Sequence, residues 1–288
     1  MLGAIASFTL MAVAGREVQA EMDTFELMAW RSVIGFMLIA AILSRRGFGQ
    51  IRSAVPWLHV KRNIVHFAGQ NLWFYGLTVL PMSQLVALEF TNPVWVALLA
   101  PFFLGERFTA RKALVAALGF AGVLIVAQPG VAPVEWGHAA GLGAALGFAL
   151  NTIYTRRLMR HDTVLCVLFW MTASQAVMGA ALGAPGGIPL PSAQVLPWLI
   201  IVGLTGLSAH YALTSALGHA PATVVAPLEF LRLPVITLVG AVLYDEELLL
   251  AVFLGALVIL AANLLNLAAE RQSVKNAAPG NNRAKPGR

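Results

Sequence analysis

Apolar residues come in long runs separated by short breaks of charge, proline and glycine. The runs lie near 2–20, 25–44, 63–80, 83–104 and 111–128, and again near 138–156, 163–184, 196–218, 222–243 and 248–268. Each approaches the ~20 residues that a helix needs to cross the hydrocarbon of a bilayer. The pattern therefore predicts an all-α membrane protein with ten transmembrane helices. The widest breaks, Arg45–Arg62, Gln128–Gly137 and Ala184–Pro197, read as connections, and the polar, basic stretch from Ala269 onward reads as a disordered tail.

The runs repeat. Pro81, Leu88, Glu89, Phe90 and Glu106 recur 140 residues later as Pro221, Leu228, Glu229, Phe230 and Glu246. A first repeat over residues 1–128 (spans one to five), a connection over 129–137, a second repeat over 138–268 (spans six to ten) and a tail over 269–288 follow as the expected organisation. Five spans per copy is an odd number, so the second copy enters the membrane from the opposite face. Such inverted repeats recur in secondary transporters, where two similar halves can exchange conformations around a central site.

Charge fixes the expected orientation. Every Lys and Arg except Arg16, Arg31 and Arg232 falls in alternate connections or in the tail, while Glu17, Glu21, Asp23, Glu26, Glu135, Asp245, Glu246 and Glu247 fall on the other side. By the positive-inside rule both termini are cytoplasmic, in an inner (plasma) membrane of bacterial type. The basic balance, +6 with a pI near 10.0, is thus topology and not a nucleic-acid surface. With 59% hydrophobic and 11% charged residues and a mean hydropathy of +0.77, a water-soluble core is excluded. The N-terminal run lacks a preceding base and leads into Arg16, so it reads as a retained span and not a signal peptide. Cys166 is the single cysteine, which excludes disulfides and multi-cysteine metal sites, and its expected role is packing.

Polar residues inside the apolar runs are the candidates for function. Glu89 and Asn92 share a helix face, and Pro93 removes a backbone donor and frees the Glu89 carbonyl. This cluster is either a substrate or proton site or an interhelical clamp. Glu229 and Arg232 have the same spacing, with Pro234 freeing the Phe230 carbonyl, and are expected to pair with each other. That leaves Glu89 as the cargo or proton carboxylate. Arg31 can snorkel outward, pair with Glu26, or face the cavity toward Glu89. Gln70, Asn71 and Tyr211 read as neutral donors lining a cavity, and His66 and His210 as helix contacts before proton relays. Trp73, Trp95 and Tyr211, if inward, would suit stacking on a planar ring, whereas Trp57, Trp136 and Trp198 suit interfacial anchors. Ala139, Gly143, Gly147 and Asn151, with Gly179 and Gly183, form small-residue packing seams, and Glu106 and Glu246 are expected to cap or pair at the membrane surface.

The stretches Gly76–Ser83, Leu88–Trp95 and Phe103–Glu106, with Gly119 and Gly122, resemble the EamA domain of the drug/metabolite transporter superfamily, and a second EamA-like copy covers roughly 138–268. The resemblance implies a ten-helix bundle, alternating access and small organic cargo, with the lipid bilayer as partner and a homo-oligomer compatible. Two departures stand out: Asp245-Glu246 replaces Gly105-Glu106, and Arg232 stands where the first copy has Asn92. Relatives in the superfamily move riboflavin, amino acids, S-adenosylmethionine, opine-type metallophores or drugs. The aromatic residues beside an amide-carboxylate cluster favour a planar vitamin such as riboflavin. No phosphate loop, zinc motif or nucleophile elbow is present, so the reading contains no ATP coupling, cofactor or metal, and an intramembrane enzyme is the remote alternative.

Overall fold

The computed structural model describes residues 1–104, 109–129, 133–183, 188–219 and 228–277. Among these, all extended regular structure is helical: α1 (Leu2–Val18), α2 (Thr24–Arg46), α3 (Pro56–Val79), α4 (Met82–Glu89), α5 (Asn92–Leu104), α6 (Ala110–Ala127), α7 (Trp136–Leu158), α8 (Val164–Gly183), α9 (Leu196–His219), α10 (Arg232–Tyr244) and α11 (Leu250–Ala277), with one 3₁₀ turn at Phe48–Ile51. Thr24–Arg46, Met82–Leu99, Ala110–Ala127, Val164–Gly183 and Leu250–Ala268 are each long and apolar enough to cross a membrane. Large apolar side chains such as Phe102, Val177, Val242 and Leu257 stand outward on these and neighbouring helices. A surface so apolar suits lipid and not water, and the chain is a multi-pass membrane protein.

The duplication is visible in the helix starts. α2 and α8 open at Thr24 and Val164, α3 and α9 at Pro56 and Leu196, α5 and α10 at Asn92 and Arg232, α6 and α11 at Ala110 and Leu250, each pair 140 residues apart. Local chemistry repeats with them. The Asp23 side chain accepts from the Phe25 and Glu26 amides to open α2, and at the matching position Thr163 Oγ accepts from the Cys166 amide to open α8. Two elements depart from the sequence reading. The single run expected over 83–104 is two helices, interrupted at Phe90-Thr91, because Pro93 cannot donate to the Glu89 carbonyl and the chain restarts at Asn92. The last helix continues past 268 to Ala277; residues 278–288 of the expected tail, like Glu106 and Pro221, lie outside the described residues.

Packing follows the same symmetry. α1 lies on α9 while α3 lies on α7, and α2 lies on its own counterpart α8, as α6 does on α11. Exchanging the two halves leaves this set of pairings unchanged, as a two-fold relation requires. Ala29 meets Gly179 and Glu26 meets Gly183, so α2 and α8 run antiparallel; Val126 against Gly255 and Gly122 against Ile259 give the same result for α6 and α11. Small residues set these approaches. At Gly147 an added Cβ would sit 2.9 Å from Gly69 Cα, and at Gly179 it would sit 2.7 Å from the Ala29 amide nitrogen. Backbone cannot yield as a side chain can. The main apolar core includes Leu27, Met28, Phe74, Leu77, Leu85 and Leu88 of α2, α3 and α4, and extends to α1, α9, α10 and α11 through residues such as Ala14, Leu199, Ile236 and Ile259.

Gly179→Ala is expected to lower stability by about 1–3 kcal/mol through overpacking against backbone. Gly143→Ala meets only the flexible end of Leu72 and is expected to be neutral or slightly stabilising, since alanine is the better helix former. Thermal unfolding of the two purified variants checks the order.

Candidate functional site

A cavity of about 260 Å³ opens where the interrupted helices of both halves meet, bounded by α1, α3, α7 and α9. The interruption places side chains that a continuous helix would hold on its own face. At the first break, Val94 and Trp95 donate their amides to Thr91 O, leaving the Phe90 carbonyl to receive Asn263 Nδ2 from α11 at 3.0 Å. At the second, Leu233 donates its amide to Phe230 O, so that carbonyl, expected to be free, is bonded. Phe90 and Phe230, equivalent in the two repeats, stack with ring centroids 4.2 Å apart.

The charged residues are arranged across the halves. Arg232 Nη2 lies 2.8 Å from Glu89 Oε2, which also accepts from Trp73 Nε1 at 2.9 Å. The guanidinium sits over the rings of Phe8 and Phe90, at 5.0 and 5.2 Å. Arg232 therefore pairs with the other half's glutamate and not, as expected, with Glu229. A three-residue spacing gives a shared face only on a continuous helix, and the turn at Phe230-Leu231 removes that face. Glu229 lines the cavity with no hydrogen-bond or ion-pair partner among the described residues.

Of the other predicted residues, Gln70 and Asn92 line the cavity, whereas four do not. Asn71 donates back to Phe67 O on its own helix at 2.8 Å. Trp95 packs edge-on against Phe120, and Tyr211 is 72% exposed on the outer surface. Arg31 is buried on α2 but opens onto a separate small chamber; of its three expected arrangements, pairing with Glu26 is not seen, since Glu26 is occupied in the cap with Asp23. Phe8, Phe74, Phe148, Asn151 and Thr152 line the cavity without having been singled out for it. Asn151 had a signal, an amide ending a stripe of small residues, but the stripe itself suggested only packing. His66 and His210 face each other at 5.8 Å between centroids, and His66 Nδ1 meets Gln175 Nε2 at 3.0 Å. Among the described residues, the Gln70 and Asn151 side-chain oxygens and Arg232 Nε are buried without partners. The site thus combines aromatic faces, unpaired donors and acceptors, one neutralised charge pair and one unpaired carboxylate.

A second polar network lies at one end of the bundle. Arg16 pairs with Glu246 and donates to Leu77 O and Leu80 O at the end of α3, while Glu246 accepts the Met82 amide at the start of α4. Cation at a helix C-terminus and anion at a helix N-terminus is the arrangement that helix dipoles favour. Nearby, Glu21 accepts from the Ser192 amide at 2.9 Å, and Ser192, through its side chain first and this amide second, holds the Glu21 carboxyl below the usual range.

Residues 1–128 and 135–268 each match the EamA-like transporter family. The riboflavin transporter of Rhizobium johnstonii is 28% identical over 235 residues, covering 82% of this chain and 78% of that protein. That of Brucella anthropi is 30% identical over 240 residues, covering 82% and 84%. An S-adenosylmethionine uptake transporter of Rickettsia felis is 22% identical over 262 residues, covering 91% and 89%. A crystal structure at 20% identity superposes with a TM-score of 0.63, covering 94% of this chain and 96% of that one, and so shares the fold. The chain belongs to the EamA-like transporter family.

Proposed function

We propose that this protein is a secondary carrier of a planar, heterocyclic vitamin of the riboflavin type, working by alternating access in a bacterial inner membrane. In this reading ten helices cross the bilayer as two inverted five-helix repeats, with both termini cytoplasmic. The observation that carries it is the polar, aromatic-lined cavity at the meeting point of the interrupted helices. Broken helices that aim backbone and side-chain polar groups at a site between repeats are a recurrent transporter construction. About 260 Å³ lies just below the ~300–1,000 Å³ of sites that bury drug-sized ligands, which suits one flat ring system better than a peptide or a lipid. Phe8, Phe74, Phe148 and Trp73 offer ring faces, and Gln70, Asn92 and Asn151 offer amides for the polar edge of the heterocycle. The two relatives named as riboflavin transporters support the same cargo.

A second reading, S-adenosylmethionine, is favoured by the unpaired Glu229 carboxylate, which would attract a sulfonium cation, and by the Rickettsia relative aligned over 91% of the chain. Either cargo makes Glu229, and not Glu89, the carboxylate free to meet substrate or a proton. Glu89 is held by Arg232 and Trp73.

Purified protein with riboflavin at about a hundredfold its dissociation constant is expected to melt ~5–10 °C higher, with S-adenosylmethionine giving no shift. The reverse result selects the second reading, and a shift with neither rejects both. Glu89→Gln, which strands Arg232, is expected to cost about 3–5 kcal/mol of stability. Glu229→Gln is expected to leave melting within about 1 kcal/mol of the parent, since it breaks no pair, yet flatten the pH dependence of transport in proteoliposomes. Protease-sensitive tags at both ends are expected to be cleaved only from the cytoplasmic side of membrane vesicles.

A further inference from the structure

Arg31 is 6% exposed on α2, a helix long and apolar enough to span the membrane, and no carboxylate pairs with it among the described residues. Among the described residues its only hydrogen-bonding partner is the Met28 sulfur, at 3.5 Å, with the Phe74 ring 5.9 Å beneath the guanidinium. A guanidinium does not shed its charge by losing a proton, and a buried charge without a partner is costly. The fold nonetheless builds a seat for it. A Cβ at Gly206 would fall 2.7 Å from Arg31 Nη2 and 3.0 Å from Nε, so the bare glycine gives the head group its present place against α9.

The seat opens onto a small chamber between α2, α8 and α9, bordered by Ser32, Thr172, Gln175, Gly203 and Leu207. It stands apart from the central cavity, with Phe74 and the His66–Gln175 hydrogen bond between them. Its chemistry is one-sided. The Ser32 hydroxyl, 3% exposed as a residue, has no hydrogen-bond partner among the described residues. Thr172 already directs its hydroxyl proton to Leu168 O at 2.9 Å, and among the described residues no carboxylate lines the chamber. The space in which the centre of a water-sized sphere can move is about 10 Å³, so the chamber takes a single small occupant. A water molecule would satisfy hydrogen bonds but leave the charge unbalanced.

We propose that this chamber binds a monatomic anion, chloride or another halide, as the counter-charge of Arg31, with the Arg31 guanidinium and the Ser32 hydroxyl as its donors. The site is independent of the cargo: it lies outside the central cavity and uses none of its residues. It makes a halide a structural component of the folded protein and ties α2 to α8 and α9 through an ion instead of a salt bridge.

Thermal unfolding of the purified full-length protein in sodium gluconate, titrated with sodium chloride or bromide at constant ionic strength, tests it. A saturable rise of ~3–5 °C is expected at tenfold the half-saturating halide, absent in Arg31→Met and shifted to several-fold higher halide in Ser32→Ala. No halide-dependent rise in the parent, or an equal rise in Arg31→Met, overturns the proposal. If Arg31→Met does not accumulate, crystals of the parent grown in bromide decide: an anomalous peak within hydrogen-bond reach of Arg31 and Ser32 supports the site, and none at saturating bromide refutes it.

Discussion

The pairing of Arg232 with Glu89 is the interaction on which the centre of this protein depends. A charged group at the middle of a bilayer costs at least about 2.5–3.5 kcal/mol when alone, and Arg232 and Glu89 answer each other at 2.8 Å. Answering it across the halves, and not along one helix, ties α4 of the first repeat to α10 of the second. Trp73, Phe8 and Phe90 complete the enclosure, so four helices, α1, α3, α4 and α10, are committed to one carboxylate and one guanidinium. The cavity is what remains around that fixed point, and Glu229 is the acid that the arrangement leaves over.

The duplication supplies the frame but not the pairing. Helices start 140 residues apart and pack in a pattern that survives exchange of the halves, yet Arg232 occupies the place of Asn92. Exchange would map the Arg232–Glu89 pair onto Asn92 and Glu229, an amide beside an acid. In the proposed carrier the two conformations are therefore unequal in electrostatic energy, although the backbone that builds them is nearly symmetric. A single substitution between copies suffices to give the cycle a resting state.

Much of the frame was legible in the sequence because it rests on local rules. Run length marked the apolar helices, the spacing of Leu-Glu-Phe marked the repeat, and Pro93 and Pro234 marked the irregular places. The partner of Arg232 was not legible, since a three-residue spacing implies a shared face only if the helix is unbroken, and both prolines break it. Tyr211 and Trp95 illustrate a second limit. Residues lying at the depth of a cavity can point to lipid or to a neighbour, and in a chain apolar on every side the hydrophobic pattern does not say which way a helix is turned. Phe8, Phe74 and Phe148 were invisible for the converse reason: a phenylalanine that lines a site reads the same as one that packs.

The stacked rings of Phe90 and Phe230 carry one more implication. Each is the other's counterpart in the repeat, so their contact lies on the pseudo-symmetry axis and maps onto itself when the halves trade places. Most contacts between the halves would have to be surrendered in one conformation to be regained by their images in the other. This one need never be broken. It can serve as the pivot of the molecule, a hinge pin whose strength sets how firmly the halves are held together without biasing which way the carrier faces.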